Sequence, residues 1–188
     1  YILGPRINAS GRVGDVSIGN KLLSCDNEIE AKYLAEQLNN FNIERQNIEK
    51  DILAKAIEKI EAEHLYNDSA IFIHGNGWHE GVIGIIASRI KDKYNRPVFV
   101  LSMDDKTGKA SCRSVDKSVD IGSVIIKAKE AGLLLSGGGH AMAGGFTFEV
   151  SKLDEIKKFI LDNISANLNT YLTKEEKYAD LVINFDYV

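Results

Sequence analysis

The chain has 188 residues, 44% of them apolar, enough to bury the core of one large domain or two small ones. Its net charge of −4 argues against a generic basic nucleic-acid binder, and two cysteines, Cys25 and Cys112, without CxxC or zinc-finger spacing imply no disulfide framework and are expected as free thiols. No apolar run is long enough for a membrane helix, and no charged-then-apolar leader opens the sequence, so a cytoplasmic setting without membrane partners is expected.

The charge is unevenly placed. Residues 27–63 carry nine acids against five bases and so hold the whole net charge, whereas residues 106–117 carry four bases and one acid. Local basic patches are compatible with the acidic total.

In chain order, residues 1–15 (YILGPRINASGRVGD) combine Gly4-Pro5, Gly11 and Gly14 with Arg6, Asn8, Ser10 and Arg12, which reads as a loop bearing two guanidiniums. Arginine's planar fork suits phosphate or carboxylate. Residues 27–63 form the clearest helix: Ala31, Leu34, Leu38, Phe41, Ile48, Ile52, Ala56 and Ile60 recur at three- and four-residue steps. Unbroken, it spans roughly 55 Å and suits a connector between two bodies. Arg45 stands where an apolar residue is expected, and Asn39, Asn40 and Asn42 lower helix propensity, so a wet side or a bend is expected there.

Beyond Ser69, short apolar runs alternate with helical patterns. Strands are expected at 70–74, 96–102, 109–114 and 145–150, with helices at 80–94, 120–135 and 153–168 and polar turns at 75–77 and 104–108. This βαβ wiring predicts an α/β fold in which a long connecting helix precedes a mixed, partly parallel sheet covered by helices. Residues 170–188, a charged stretch followed by LVINFDYV, are expected to lead into a further domain.

Leu133 runs into Ser136, Gly137, Gly138, Gly139 and His140. Such a glycine run is expected to make a sharp turn whose free N–H groups cradle an anion, with His140 as an added donor. A structural turn with a core histidine is the competing reading. Other motifs fail on spacing. GNGWHEG at 75–81 places its last glycine one residue late for a dinucleotide turn, and residues 14–21 lack the P-loop lysine. Lys106-Thr107-Gly108 and Ser114-Val115-Asp116-Lys117 match two penicillin-recognising motifs in the wrong order and without the third. The four histidines form no HxH or HExxH, so no metal site is expected in this chain.

Four collinear stretches together carry a resemblance: GPRINASGR at 4–12, LAEQLNNFNIERQNIEKDIL within the long helix, GWHEGVIGIIASRI at 77–90, and SCRS followed by SGGGHAMAGG. They resemble the RecJ family of single-strand-specific DNA exonucleases, in the DHH phosphoesterase superfamily, over roughly residues 1–150. The resemblance implies that residues 1–24 are the tail of a catalytic DHH domain and 25–66 the connecting helix. Residues 67–169 would be the DHH-associated substrate-binding domain, and 170–188 a linker and first strand toward an OB-type domain. It implies 5′ to 3′ hydrolysis of single-stranded DNA in repair and recombination, with Mn²⁺ or Mg²⁺ held by a DHH motif absent from this chain. Single-strand-binding protein is a candidate partner. This chain alone is expected to bind rather than cut.

Carried over by position, Arg6, Asn8 and Arg12 would line the cleft. Ser111, Arg113 and Ser114, with Gly137, Gly138, Gly139 and His140, would hold substrate phosphate, His140 also stabilising the transition state. The sequence departs from the family pattern at Glu80, where proline is usual, at Gly144 and at Cys112, where alanine is usual. Cys112 beside Arg113 is expected to make the site oxidation-sensitive. Two other readings stay open: a phosphoesterase for short oligonucleotides or cyclic dinucleotides, and a non-catalytic assembly module built on the long helix.

Overall fold

A computed structural model describes residues 2–171, with side chains described through residue 165. The strand expected within 170–188 lies outside the described residues. Helices α1 (Leu3–Val13), α2 (Ser17–Leu23) and α3 (Glu28–Ala62) come first, followed by β1 (Ile71–Asn76), α4 (Glu80–Tyr94), β2 (Val98–Met103), β3 (Thr107–Arg113), α5 (Ile121–Glu130), β4 (Ser136–His140), β5 (Ala143–Glu149) and α6 (Leu153–Tyr171).

The loop expected over 1–15 is instead α1. Pro5 falls within its first turn, where no intrahelical N–H is lost. Burial outweighs the poor propensity of Gly4 and Gly11: Ala9 and Ser10 are buried, and Ile7 joins the cluster of Ile18, Leu34 and Leu38. Helix α2, unmarked in the sequence, contributes Ile18 to the same cluster.

Helix α3 runs 35 residues without interruption. Asn27 caps it, its side chain accepting from the amides of Ile29 and Glu30. The helix is not interrupted at its polar stretch, where Asn40 is exposed and the neighbouring polar residues find partners. Asn39 accepts from Nε of Arg6 at 3.0 Å, and buried Asn42 accepts from Nη2 of Arg45 at 3.0 Å.

The sheet order is β1-β2-β3-β5-β4, with β1 and β2 parallel across the α4 crossover and the other pairs antiparallel. Strand alternation sends Phe72, Phe99, Leu101, Ala110, Cys112, Phe146 and Phe148 to the face that packs with residues of α5 and α6. Ile71, Ile73, Val98 and Val100 point to the opposite face, into a core with Ile52, Ala56 and Ile60 of α3 and Val82, Ile83, Ile86 and Ile90 of α4. Helix α5 is shorter than expected and ends at Glu130. Gly132, with φ +72°, turns the chain, and Leu133 is buried from outside the helix.

Candidate nucleic-acid interface

Residues 136–140 are not a turn. Ser136–His140 is an extended edge strand, and Gly137, Gly138 and Gly139 are not among the positive-φ residues, so the expected nest of turn amides is not formed. Their lack of side chains serves close packing. A Cβ at Gly139 would lie 2.5 Å from the Ala143 carbonyl oxygen and the Gly144 Cα, and one at Gly137 2.9 Å from Cγ2 of Ile125 on α5. A Cβ at Gly138 would meet nothing within 4 Å. Gly138 therefore faces open space, away from α5.

The register brings distant residues onto that open face. Ser111 pairs with Gly145, which pairs with Gly138; Arg113 pairs with Ala143, which pairs with His140. Two cross-strand rows result: Ser111, Gly145, Gly138 and Arg113, Ala143, His140. Strand spacing puts the ends of each row roughly 10 Å apart, with only a methyl group or glycine backbone between them. A flexible guanidinium and an imidazole can approach one anion across that gap.

Helix α4 borders this face. A Cβ at Gly84 would lie 3.0 Å from Oγ of Ser111 and 3.4 Å from Nη2 of Arg113, and one at Gly81 would lie 2.2 Å from the Arg12 carbonyl oxygen. These glycines let α4 sit against both β3 and α1. The sequence signal was available, since Gly81 and Gly84 interrupt an otherwise helical pattern. Half-buried Arg113 donates through Nη1 to the Cys112 carbonyl at 2.8 Å and to Oγ of Ser111 at 3.4 Å. Arg12, exposed, donates to the Gly81 carbonyl at 3.0 Å.

Other site residues lie differently. Ser114 is 1% exposed, and its hydroxyl donates to the Asp116 carbonyl at 2.8 Å, shaping the loop after β3 rather than the open face. Arg6 donates to Asn39 on α3 and to the Ile2 carbonyl, tying α1 down. Asn8 is exposed and borders a cavity with Arg12. His140 is exposed, and its Nδ1 accepts from the Met142 amide at 3.3 Å. Cys112 corrects the expectation of oxidation sensitivity. It is fully buried on the opposite face, and burial pushes its thiol far above the ordinary range despite neighbouring Arg113.

Residues 67–166 match the DHHA1 domain family. The chain belongs to that family. Two curated relatives, the single-stranded-DNA-specific exonucleases RecJ of Salmonella typhimurium and Escherichia coli, are each 34% identical to it over 186 residues. In each case the match covers 96% of this chain and 32% of the relative. The chain thus spans about a third of their length. RecJ of Thermus thermophilus, solved with Mn²⁺, superposes with a TM-score of 0.78 at 30% identity, covering 88% of this chain and 24% of that one. The same protein solved with Mg²⁺ gives 0.76. The DHHA1 match contains both cross-strand rows and α4, whereas α1, α2 and α3 all precede it. Among the described residues, no group of three or more His, Cys, Asp or Glu side chains is placed to hold a metal ion.

Proposed function

We propose that this chain is the substrate-holding part of a metal-dependent 5′ to 3′ exonuclease acting on single-stranded DNA. The observation that carries the reading is one sheet face on which Ser111 and Arg113, bordered by α4, share cross-strand rows with exposed Gly138 and His140 across only glycine and alanine. Backbone free of side chains lets a phosphodiester come close, a guanidinium fork and a hydroxyl supply donors, and a histidine adds another. The named activity of the RecJ relatives supports the substrate class.

In this reading residues 1–24 end the catalytic domain, 25–66 connect it, and 67–169 bind substrate. The described residues do not fit Mn²⁺ or Mg²⁺. Such an ion, held by the catalytic domain, would activate water. The residues of this chain bind and orient: Arg113 and Ser111 hold phosphate oxygens, His140 donates from the neighbouring row, and the burial of Cys112 keeps β3 fixed beneath them.

Fluorescence anisotropy with a 5′-phosphorylated single-stranded oligonucleotide, over a salt series, tests this. The chain binds with an affinity that falls as salt rises, and Arg113→Ala or His140→Ala weakens it about tenfold. Equal binding by all three proteins would reject the assignment.

A further inference from the structure

The parallel strands β1 and β2 end side by side, at Asn76 and Met103, and beyond them lies a cavity of about 420 Å³ that the two phosphate-holding rows do not use. The carboxyl ends of parallel strands are where an α/β sheet opens to ligands. Trp78, the chain's one tryptophan, lines the cavity from the loop before α4, and Ser102, Thr107 and Lys109 line it from β2 and β3.

The cavity is held in shape by its own lining. The indole lies against the backbone of Gly75, where a Cβ would come within 2.1 Å of its Cε2. The Trp78 carbonyl accepts from Oγ of Ser102, and the amide of Gly77 donates to the Met103 carbonyl at 3.0 Å. Asp104 accepts from the amides of Lys106 and Thr107 at 2.8 and 2.6 Å, fixing the turn between β2 and β3. Trp78 packs against the core beneath α4 yet stays partly exposed beside the cavity. A ring fixed on one side and open on the other is a stacking surface.

Charge decides what fits. Glu80 and Asp104 both line the cavity, against Lys109 as its one lysine or arginine, which disfavours a phosphate inside it. A planar, uncharged group with N–H and carbonyl edges suits an aromatic wall with a polar rim. Lys109 also joins the cavity to the strand-binding face. It lies on the same side of β3 as Ser111, about 7 Å along the strand, and is linked through Thr147 to Ser136 in a third cross-strand row. Its ammonium meets Oε2 of Glu80 at 2.6 Å, but both side chains are more than half exposed, so water screens the pair and it parts at little cost.

We propose that this cavity takes one nucleobase of the single strand whose phosphates lie over Ser111 and Arg113, stacked on Trp78, with Lys109 meeting the backbone at its mouth. The inference rests on the strand-binding reading above and extends it from the backbone to a base.

Trp78 fluorescence reports on the site. The chain is titrated with a dye-labelled, 5′-phosphorylated single-stranded oligonucleotide and, in parallel, with an abasic strand of equal length and charge, binding being followed by anisotropy. The base-bearing strand is expected to quench Trp78 and to bind about tenfold more tightly than the abasic strand, which binds in a salt-dependent way and leaves Trp78 unchanged. Equal affinities, or equal quenching by both strands, would overturn the base site and leave the phosphate reading standing, whereas no binding by either would reject both. Quenching by thymidine monophosphate but not by the strand would make the cavity a small-molecule site and overturn the assignment. Trp78→Leu, which keeps an apolar contact with the core, should erase the preference for the base-bearing strand, and Trp78→Phe should retain it. Weakening of both strands alike by Trp78→Leu would mean a purely structural tryptophan and contradict the proposal.

Discussion

One face of one sheet carries two different surfaces. Over β1 and β2 it presents Ile71, Ile73, Val98 and Val100, all fully buried beneath α3 and α4. Over β3, β5 and β4 the same pleat presents Ser111, Arg113, Ala143, Gly145, Gly138 and His140, none of them fully buried. The backbone ladder is continuous, with Val98 opposite Arg113 and Val100 opposite Ser111. Strand propensity therefore does not distinguish the halves. The extent of cover does: α3 and α4 bury the β-branched residues of β1 and β2, α4 meets β3 at Gly84, and beyond it the side chains are short or carry donors.

The contrast can be broken most forcefully in the covered half. Ile73→Ala should cost about 2–5 kcal/mol of stability, read by denaturant unfolding, while the folded fraction keeps its affinity for the strand. A smaller effect separates adjacent glycines of β4. Gly139→Ala forces a methyl group against β5 backbone and should cost about 1–3 kcal/mol. Gly138→Ala meets nothing and should change stability by no more than about 0.5 kcal/mol, yet weaken strand binding because it blocks close approach. Equal thermal shifts for the two variants would mean that they do not face opposite sides.

The smallest effect concerns acid. His74 is half-buried within β1 near Lys59, Glu63, Asp154 and Lys157, and burial, reinforced by the lysines, lowers its pKa from the ordinary histidine value. The unfolded chain then binds the proton more readily, so the stabilisation is complete above about pH 6.5 and is lost as pH falls through the lower folded value. His74→Gln should flatten the pH dependence of melting across that window.

Much of this was legible in the sequence because periodicity reports cover. The three-and-four stripe of α3 and the apolar runs of β1 and β2 mark buried faces, and the long helix and α4 lie within a residue of their expected limits. Helix α1 was not legible. Its glycines and proline favour a loop, and only burial of Ala9 and Ser10 against α3 makes it helical. The glycine run differs for a related reason: local sequence signals turn freedom, whereas Gly137 answers to Ile125 on α5 and Gly139 to the Ala143 backbone across the β4–β5 hairpin, contacts that packing and strand pairing set. Ser114 illustrates the same limit, since being one residue from Arg113 put it in the same motif while the alternating pleat turned it inward.

The most direct test is a map of backbone amide shifts of the ¹⁵N-labelled chain titrated with a 5′-phosphorylated single-stranded oligonucleotide. The largest shifts are expected at Ser111, Arg113, Gly138, His140 and Gly145, with Ile71, Ile73, Val98 and Val100 unmoved. Shifts centred on the covered half, or on α5 and α6 with Arg113 and Gly138 silent, would contradict this assignment.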